Sequence, residues 1–249
     1  MSLPVHLVPS LAGVSVGAPV TVEGDEAHHA VAVRRLRVGE SVVLTDGAGT
    51  SVVGEVSSTG KRVFAVTATS VDVVPAPEPV VTVVQALPKG DRGELAVEVL
   101  TEVGAAQVVP WAASRSVAVW KGERAEKALG RWRATAREAA KQARRSWFPE
   151  VAPLASTAEV VALVEAASLA VVLHEDATLP LASLDVPASG TVLVVVGPEG
   201  GLTKEEVAAF VAAGAASVRL GGEVLRTSTA GVAAVAALLS RTPRWGAPD

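Results

Sequence analysis

The residues best placed to do chemistry lie in two glycine-rich stretches near the carboxyl end of the chain. In the first, Val194-Val195-Val196-Gly197-Pro198-Glu199-Gly200-Gly201-Leu202-Thr203, an apolar strand runs into a tight turn. A helix follows, its start marked by Thr203 and Glu206 at capping-box spacing. Three glycines around one proline and one glutamate exceed what punctuation requires, and they imply a backbone approached closely by a ligand. That ligand is not a triphosphate. Neither G-x-x-x-x-G-K-[ST] nor G-x-G-x-x-G occurs, and the Glu199 carboxylate would repel a phosphate. A neutral or cationic nucleoside fits better, and S-adenosylmethionine, with its sulfonium charge, is one. The second stretch, Val218-Arg219-Leu220-Gly221-Gly222-Glu223-Val224-Leu225-Arg226-Thr227-Ser228, repeats the order of strand, turn and helix, with Thr227 or Ser228 as the expected N-cap. Arg226 sits between turn and helix, as either a structural ion pair or a substrate ligand, and its position favours the second. A third loop, Leu173-His174-Glu175-Asp176, also ends an apolar run, and His174 reads as a surface histidine.

Such loops act only if a scaffold brings them together. Up to about Val74 the chain reads as short strands over Ala18–Val22, Ser41–Thr45, Ser51–Val56 and Arg62–Val71, with one helical stretch at Asp25–Leu36. Asp46-Gly47-Ala48-Gly49 reads as a hairpin turn. The prolines from Pro75 to Pro79 mark a linker. Beyond it, continuous valine-rich runs at Val80–Leu87, Gln107–Trp111, Leu169–Leu173, Thr191–Val196 and Ser217–Leu220 suit strands buried on both faces of a parallel sheet. Helical stretches at 91–103, 123–145, 157–167, 203–213 and 229–240 alternate with them. The expectation is an N-terminal domain over residues 1–74 and an α/β domain over 75–249. In open α/β sheets ligands lie beyond the carboxyl ends of the strands, which is where all three loops fall.

Charge narrows the partner. The chain of 249 residues is 49% hydrophobic and 19% charged, which excludes disorder over most of its length. Its formal net charge of −4 excludes coating of nucleic acid by bulk charge. The charge is unevenly spread: Arg115 to Arg145 holds ten basic residues and three acids, net +7, whereas Ser146 to Val218 holds one base and nine acids, net −8. On a helical wheel the basic side chains from Arg124 to Arg145 share one half, and the alanines, Leu129 and Trp132 share the other. The acids needed for i,i+4 pairing are too few, so this stripe reads as a phosphate-binding face, with Arg34, Arg35 and Arg37 as a second cluster. The absence of Cys excludes disulfides, thiol catalysis and Cys-held zinc. His28 and His29 are adjacent and cannot share a helix face, so no metal is expected. There is no apolar stretch of about 18 residues, so no membrane span is expected. Met1 to Pro9 lacks the pattern of a secretion signal, and the expected location is cytoplasmic.

Taken together, the motifs resemble those of the bacterial 16S rRNA uridine-N3 methyltransferases of the SPOUT class, over nearly the whole chain. The matching pieces are His28-His29 with Val33-Arg34-Arg35 and Gly39, and Gln85-Ala86-Leu87-Pro88-Lys89-Gly90-Asp91-Arg92. Further matches are Glu102-Val103-Gly104-Ala105, and Trp132 with Glu138-Ala139-Ala140-Lys141-Gln142-Ala143-Arg144-Arg145. The last are Gly197-Pro198-Glu199-Gly200-Gly201, and Leu220-Gly221 with Val224-Leu225-Arg226-Thr227 and Ala230. The resemblance implies a PUA-like small β-barrel that helps hold RNA, and a parallel sheet with a deep trefoil knot. It also implies a homodimer acting on 16S rRNA or the 30S subunit. S-adenosylmethionine would be cradled by Leu173, His174, Glu175, Val196, Gly197, Pro198, Glu199, Gly200, Gly201, Leu220, Gly221, Val224 and Leu225. Arg226 would be the catalytic cation and Glu199 a candidate base. Arg35, Arg37, Arg92, Arg131, Arg137, Lys141, Arg144 and Arg145 would contact RNA. The chain departs from the pattern at Val5-His6-Leu7, where an Arg-aromatic pair is frequent, at Glu223, where a base is usual, and at Ser228, where an acid is usual. A Leu is usual at Arg34, so Arg35 is the better RNA contact of the two. The alternatives are a SPOUT enzyme acting on a ribose 2′-oxygen and a non-catalytic ribosome-assembly factor.

Overall fold

In the computed structural model, which describes residues 3–246, the chain divides into two units: Met1–Ala76 with Ala140–Phe148, and Pro77–Ala139 with Pro149–Asp249. In the first unit, alternation of apolar and polar residues builds a five-stranded mixed sheet of order β1-β3-β4-β5-β2. Its strands are β1 (Val5–Leu7), β2 (Pro19–Glu23), β3 (Ser41–Thr45), β4 (Thr50–Thr59) and β5 (Val63–Val73). The β1–β3 pair is parallel and the others antiparallel. Register shifts at Val53/Gly54 and Val56/Ser58 curl the sheet around Val42, Leu44, Val52, Val56, Phe64 and Val66. The helical stretch expected at Asp25–Leu36 is shorter: α1 (Gly24–His28) continues as a π-helical turn, His29–Val33, and Arg35 then takes a left-handed φ of 57°.

Ala140–Phe148 joins this unit through contacts that a sequence boundary at residue 74 does not anticipate. Trp147 bridges Ala48, the Phe148 N–H donates to the Gly47 carbonyl at 2.8 Å, and the Gly49 N–H donates to that of Ser146 at 2.9 Å. A Cβ on Gly47 would lie 2.9 Å from Phe148 Cγ, and one on Gly49 2.7 Å from Trp147 Cζ2. The hairpin glycines therefore serve close approach as well as positive φ.

Lys141 is the clearest correction to the sequence reading. Expected on the outward basic stripe, its side chain is 9% exposed, and Nζ donates to both oxygens of Glu26 at 2.9 and 3.2 Å. His6 Nδ1 lies 3.2 Å from the same carboxylate. A helical wheel shows which side of a helix a residue occupies, not what packs there. Burial alone would raise the Glu26 pKa, but the hydrogen bonds and charges of His6 and Lys141 outweigh it and bring the carboxyl down to about 2.

The second unit holds a seven-stranded, all-parallel sheet of order β10-β12-β9-β11-β6-β7-β8. The long strands are β6 (Val80–Ala86), β7 (Gln107–Trp111), β9 (Leu169–Leu173), β11 (Thr191–Val196) and β12 (Ala216–Arg219), close to the valine-rich runs. The two-residue strands β8 (Glu150–Val151) and β10 (Leu179–Pro180) are too short to leave a pattern in the sequence. Alternate residues face opposite ways. Val81, Val83, Val192, Val194 and Val196 pack with α2 (Arg92–Val103), α3 (Glu123–Gln142) and α6 (Thr227–Leu239). Val84, Val172, Leu193 and Val195 pack with α4 (Thr157–Ala166) and α5 (Lys204–Ala212).

Two helix ends differ from expectation. Helix α3 stops at Gln142, not 145, because Arg144 turns left-handed at φ 53° and the N–H groups of Arg144 and Arg145 close back on the carbonyls of Lys141 and Ala140. Helix α6 starts at Thr227 with Arg226 as its N-cap, so neither Thr227 nor Ser228 caps it. A cavity of about 340 Å³ at the amino ends of the strands is lined by Thr82, Gln107, Glu150 and Thr191 among others. Thr82 donates to Gln107 and Gln107 to Glu150 across it, and none of the glycine loops reaches it.

The Glu26 pKa is lowered on folding, so its contribution to stability is present above about pH 4.5 and is lost as pH falls towards 2. The Tm of Glu26→Gln is expected to be lower than wild type at pH 6, with the gap narrowing between pH 4.5 and 2. A gap independent of pH would mean that the ion pair does not stabilise the fold.

Candidate functional site

In the order β12-β9-β11-β6 the strand ends line up, with Val218 beside Leu173, Val195 beside Val172 and Val196 beside Gln85. The sheet is parallel, so the loops leaving Leu173, Val196, Arg219 and Ala86 emerge side by side. The three stretches singled out in the sequence are brought to one edge, and a fourth, Leu87–Arg92, is added.

The central loop is shaped by its own turn and by its neighbours. The Gly201 N–H donates to the Pro198 carbonyl at 2.9 Å, and Gly201 has a φ of 71°. The expected capping box is present: Thr203 Oγ1 accepts from the Glu206 N–H at 3.1 Å, and Glu206 Oε2 accepts from the Thr203 N–H at 2.9 Å. Glu199 is exposed, and its Oε1 accepts from the Lys89 N–H at 3.1 Å, joining this loop to the one after β6. Val196 and Pro198 are buried, whereas Glu199 and Gly200 are exposed at the mouth.

The second loop is open. Gly221 through Arg226 are exposed, Val224 at 75% and Leu225 at 41%. The Arg226 carbonyl accepts from the N–H groups of Thr229 and Ala230, which fixes the backbone that carries the guanidinium. Among the described residues no ion pair involves Arg226, so of the two roles open to it in the sequence, a structural ion pair is removed. In the third loop Leu173 and His174 are half-buried and Glu175 is exposed, and the His174 N–H donates to the Val218 carbonyl at 2.9 Å.

Backbone and charge suit the ligand read from the sequence. A Cβ built on Gly201 or Gly222 meets no protein atom within 4 Å, so open space lies against the backbone there. The loops carry Glu175, Glu199 and Glu223, which suits a neutral or cationic nucleoside and not a phosphate cradle.

Three residues of this region escape the sequence reading. Gln85 is fully buried, and its Nε2 donates to the carbonyls of Ala86 and Thr227 at 3.2 and 3.3 Å, tying β6 to the first residue of α6. Its signal is available, as the only amide in an apolar run. Glu206 reads only as a cap, yet its Oε1 also accepts from the Ser114 N–H at 2.8 Å. Arg115 is counted in the sequence only as the first residue of the basic segment, and its Nη1 donates to the carbonyls of Gly200 and Leu202, each at 3.3 Å.

The basic residues divide between the units. In the first, Arg35, Arg37 and Arg144 are exposed, and Arg145 is half-buried with Nε donating to the Trp147 carbonyl at 2.8 Å. In the second, Arg92 is half-buried, Arg131 pairs with Glu94 at 3.2 Å, and Arg137 lies 3.4 Å from Glu138.

Fold and loops together define a two-part RNA methyltransferase. A family model described as RNA methyltransferase domain matches residues 76–239, one described as RNA methyltransferase PUA domain matches residues 22–67, and the chain belongs to this RNA methyltransferase family. Among its relatives, the ribosomal RNA small subunit methyltransferase E of Mycobacterium bovis is 46% identical over 238 residues, covering 93% of this chain and 90% of the relative. The protein of the same name from Bacillus subtilis is 29% identical, covering 89% of this chain and 90% of the relative. A solved structure of ribosomal RNA small subunit methyltransferase E from Neisseria gonorrhoeae, bound to S-adenosyl methionine, superposes with a TM-score of 0.86 at 27% identity. It covers 96% of this chain and 98% of that one.

Proposed function

We propose that this protein transfers a methyl group from S-adenosylmethionine to N3 of a specific uridine in 16S rRNA of the small ribosomal subunit. The observation that carries the reading is that the glycine loop Gly197–Gly201 and the loop ending at Arg226 leave the same edge of the sheet, in a chain 46% identical to a small-subunit rRNA methyltransferase. The cofactor supplies an electrophilic methyl on its sulfonium. Leu173, His174 and Glu175, then Val196, Gly197, Pro198, Glu199, Gly200 and Gly201, and finally Leu220, Gly221, Val224 and Leu225 form its cradle. N3 of uridine carries a proton that must leave, and the ring becomes anionic as it does. The Arg226 guanidinium, which forms no ion pair among the described residues, stabilises that charge. Glu199 is the carboxylate of the glycine loop and the candidate acceptor of the proton. By binding both reactants the loops would orient them towards each other and lower the entropic part of the barrier.

Two further features belong to this reading. The chain after β9 forms a deep trefoil knot, and the protein works as a homodimer whose second copy completes the site. Exposed Val224 and Leu225 support the dimer, because they place apolar surface in the cofactor loop itself. Arg35, Arg37, Arg144 and Arg145 in the first unit, and Arg92, Arg131 and Arg137 in the second, contact RNA phosphates. Among the described residues no helix is long and apolar enough to cross a membrane, and action on the ribosome places the protein in the cytoplasm.

The test is methylation of 30S subunits and of naked 16S rRNA with labelled cofactor, followed by nucleoside mass spectrometry. 3-Methyluridine is the expected product, whereas a ribose methyl, or no transfer at all, would overturn the reading. In the same assay Arg226→Ala is expected to lower kcat by at least about a hundredfold with an unchanged Tm, because an exposed side chain is removed. Retained turnover would take Arg226 out of the mechanism. Glu199→Gln keeps an acceptor for the Lys89 N–H but loses basicity. Its kcat is expected to fall about a hundredfold at unchanged cofactor Kd, and an unchanged kcat would leave Glu199 holding the loop only. The double variant Arg35→Glu, Arg144→Glu is expected to weaken RNA binding and to flatten its dependence on log salt, by about 0.7–0.9 for each phosphate no longer neutralised. An unaltered slope would make both residues ordinary solvated arginines.

A further inference from the structure

The loop that follows β7 contains none of the residues assigned to the cofactor, yet it makes two hydrogen bonds to the glycine loop and one to the helix that follows it. Glu206 is 3% exposed, and its carboxylate is divided between two loops. Oε2 closes the capping box on Thr203, as any helix-starting glutamate can, while Oε1 reaches the Ser114 N–H at 2.8 Å, 92 residues upstream. Next to Ser114, Arg115 extends over the glycine loop, and its Nη1 donates to the carbonyls of Gly200 and Leu202. The backbones also touch. A Cβ on Gly200 would lie 3.0 Å from both the Cβ and the carbonyl oxygen of Arg115, a tight contact that a larger residue could make only if Arg115 shifted by a few tenths of an ångström.

We infer that Arg115 and Glu206 are positioning residues that hold the Gly197–Leu202 loop in the shape that accepts the cofactor, an inference that rests on the cofactor reading above. Fixing the carbonyl directions of Gly200 and Leu202 fixes the peptide planes between them, and those planes form the surface presented to a nucleoside. Glu206 anchors the far end of the same loop where it enters α5. The two side chains reach the loop from opposite chemistry, a cation on carbonyls and a carboxylate on N–H groups. Neither can replace the other. The seven-stranded sheet cannot supply this restraint, because a loop beyond the last ladder hydrogen bond has its ends fixed and its middle free. Arg115 thereby acts on the cofactor loop from outside it.

Arg115→Met tests this, since it keeps the stem that packs on Gly200 and removes the donors. Amide hydrogen exchange over residues 197–203, measured without ligand, is expected to quicken by about tenfold. The Kd for S-adenosylmethionine by calorimetry is expected to rise by about tenfold, the cost of charge-assisted hydrogen bonds. The KM for cofactor should rise in step, while kcat at saturating cofactor and affinity for 16S rRNA stay within about twofold of wild type. Glu206→Gln, which keeps one acceptor, should fall between wild type and Glu206→Ala in both exchange and Kd. Unchanged exchange in Arg115→Met would overturn the proposal, as would weakened RNA binding at unchanged cofactor Kd. Wild-type protein that binds no S-adenosylmethionine would refute the proposed function instead, and the exchange measurement would still decide whether the clamp exists.

Discussion

Every strand of the larger sheet runs in the same direction, and the placement of the loops that carry the candidate cofactor site follows from that. A parallel ladder must be crossed by helices, here α2, α3 and α6 on one face and α4 and α5 on the other. Both faces are therefore buried, and the central strands β9 and β11 are almost pure valine, alanine and leucine. The same directionality puts the carboxyl ends of β12, β9, β11 and β6 on one edge, so that loops far apart in the chain become neighbours. Polar backbone groups beyond the ladder are free there to meet a ligand.

The edge is organised by side chains that bond to backbone and not to one another. Glu199 takes the Lys89 N–H, Glu206 takes those of Ser114 and Thr203, Arg115 takes two carbonyls of the glycine loop, and Gln85 takes the carbonyls of Ala86 and Thr227. Charges satisfied in this way orient peptide groups without forming ion pairs that would neutralise the site. Among the described residues Arg226 forms no ion pair.

The net charge of −4 conceals how the basic residues are used. Of those between Arg115 and Arg145, Lys141 lies in an ion pair with Glu26, Arg115 lies against the glycine loop, and Arg133 donates to the Val151 carbonyl. Arg137 and Arg144 remain exposed on or just after α3. The exposed basic surface is thus smaller than a count of lysine and arginine indicates.

Much of this was legible in the amino-acid sequence, because local patterns report local constraints. Period-two and continuous apolar runs located the long strands, the Thr203–Glu206 spacing located the start of α5, and the glycine motifs located the loops of the candidate site. Those signals lie within a few residues of what they specify. The two-residue strands β8 and β10 left no period to detect. The start of α6 at Thr227 and the end of α3 at Gln142 depended on backbone turns that side-chain identity did not reveal. Tertiary structure alone decided which partner each polar residue met: Glu26 with Lys141, Glu206 with Ser114, Arg115 with Gly200. The physical reason is that a hydrogen bond needs about 3 Å of separation, and only the packing of the whole chain sets distances that short between residues a hundred positions apart.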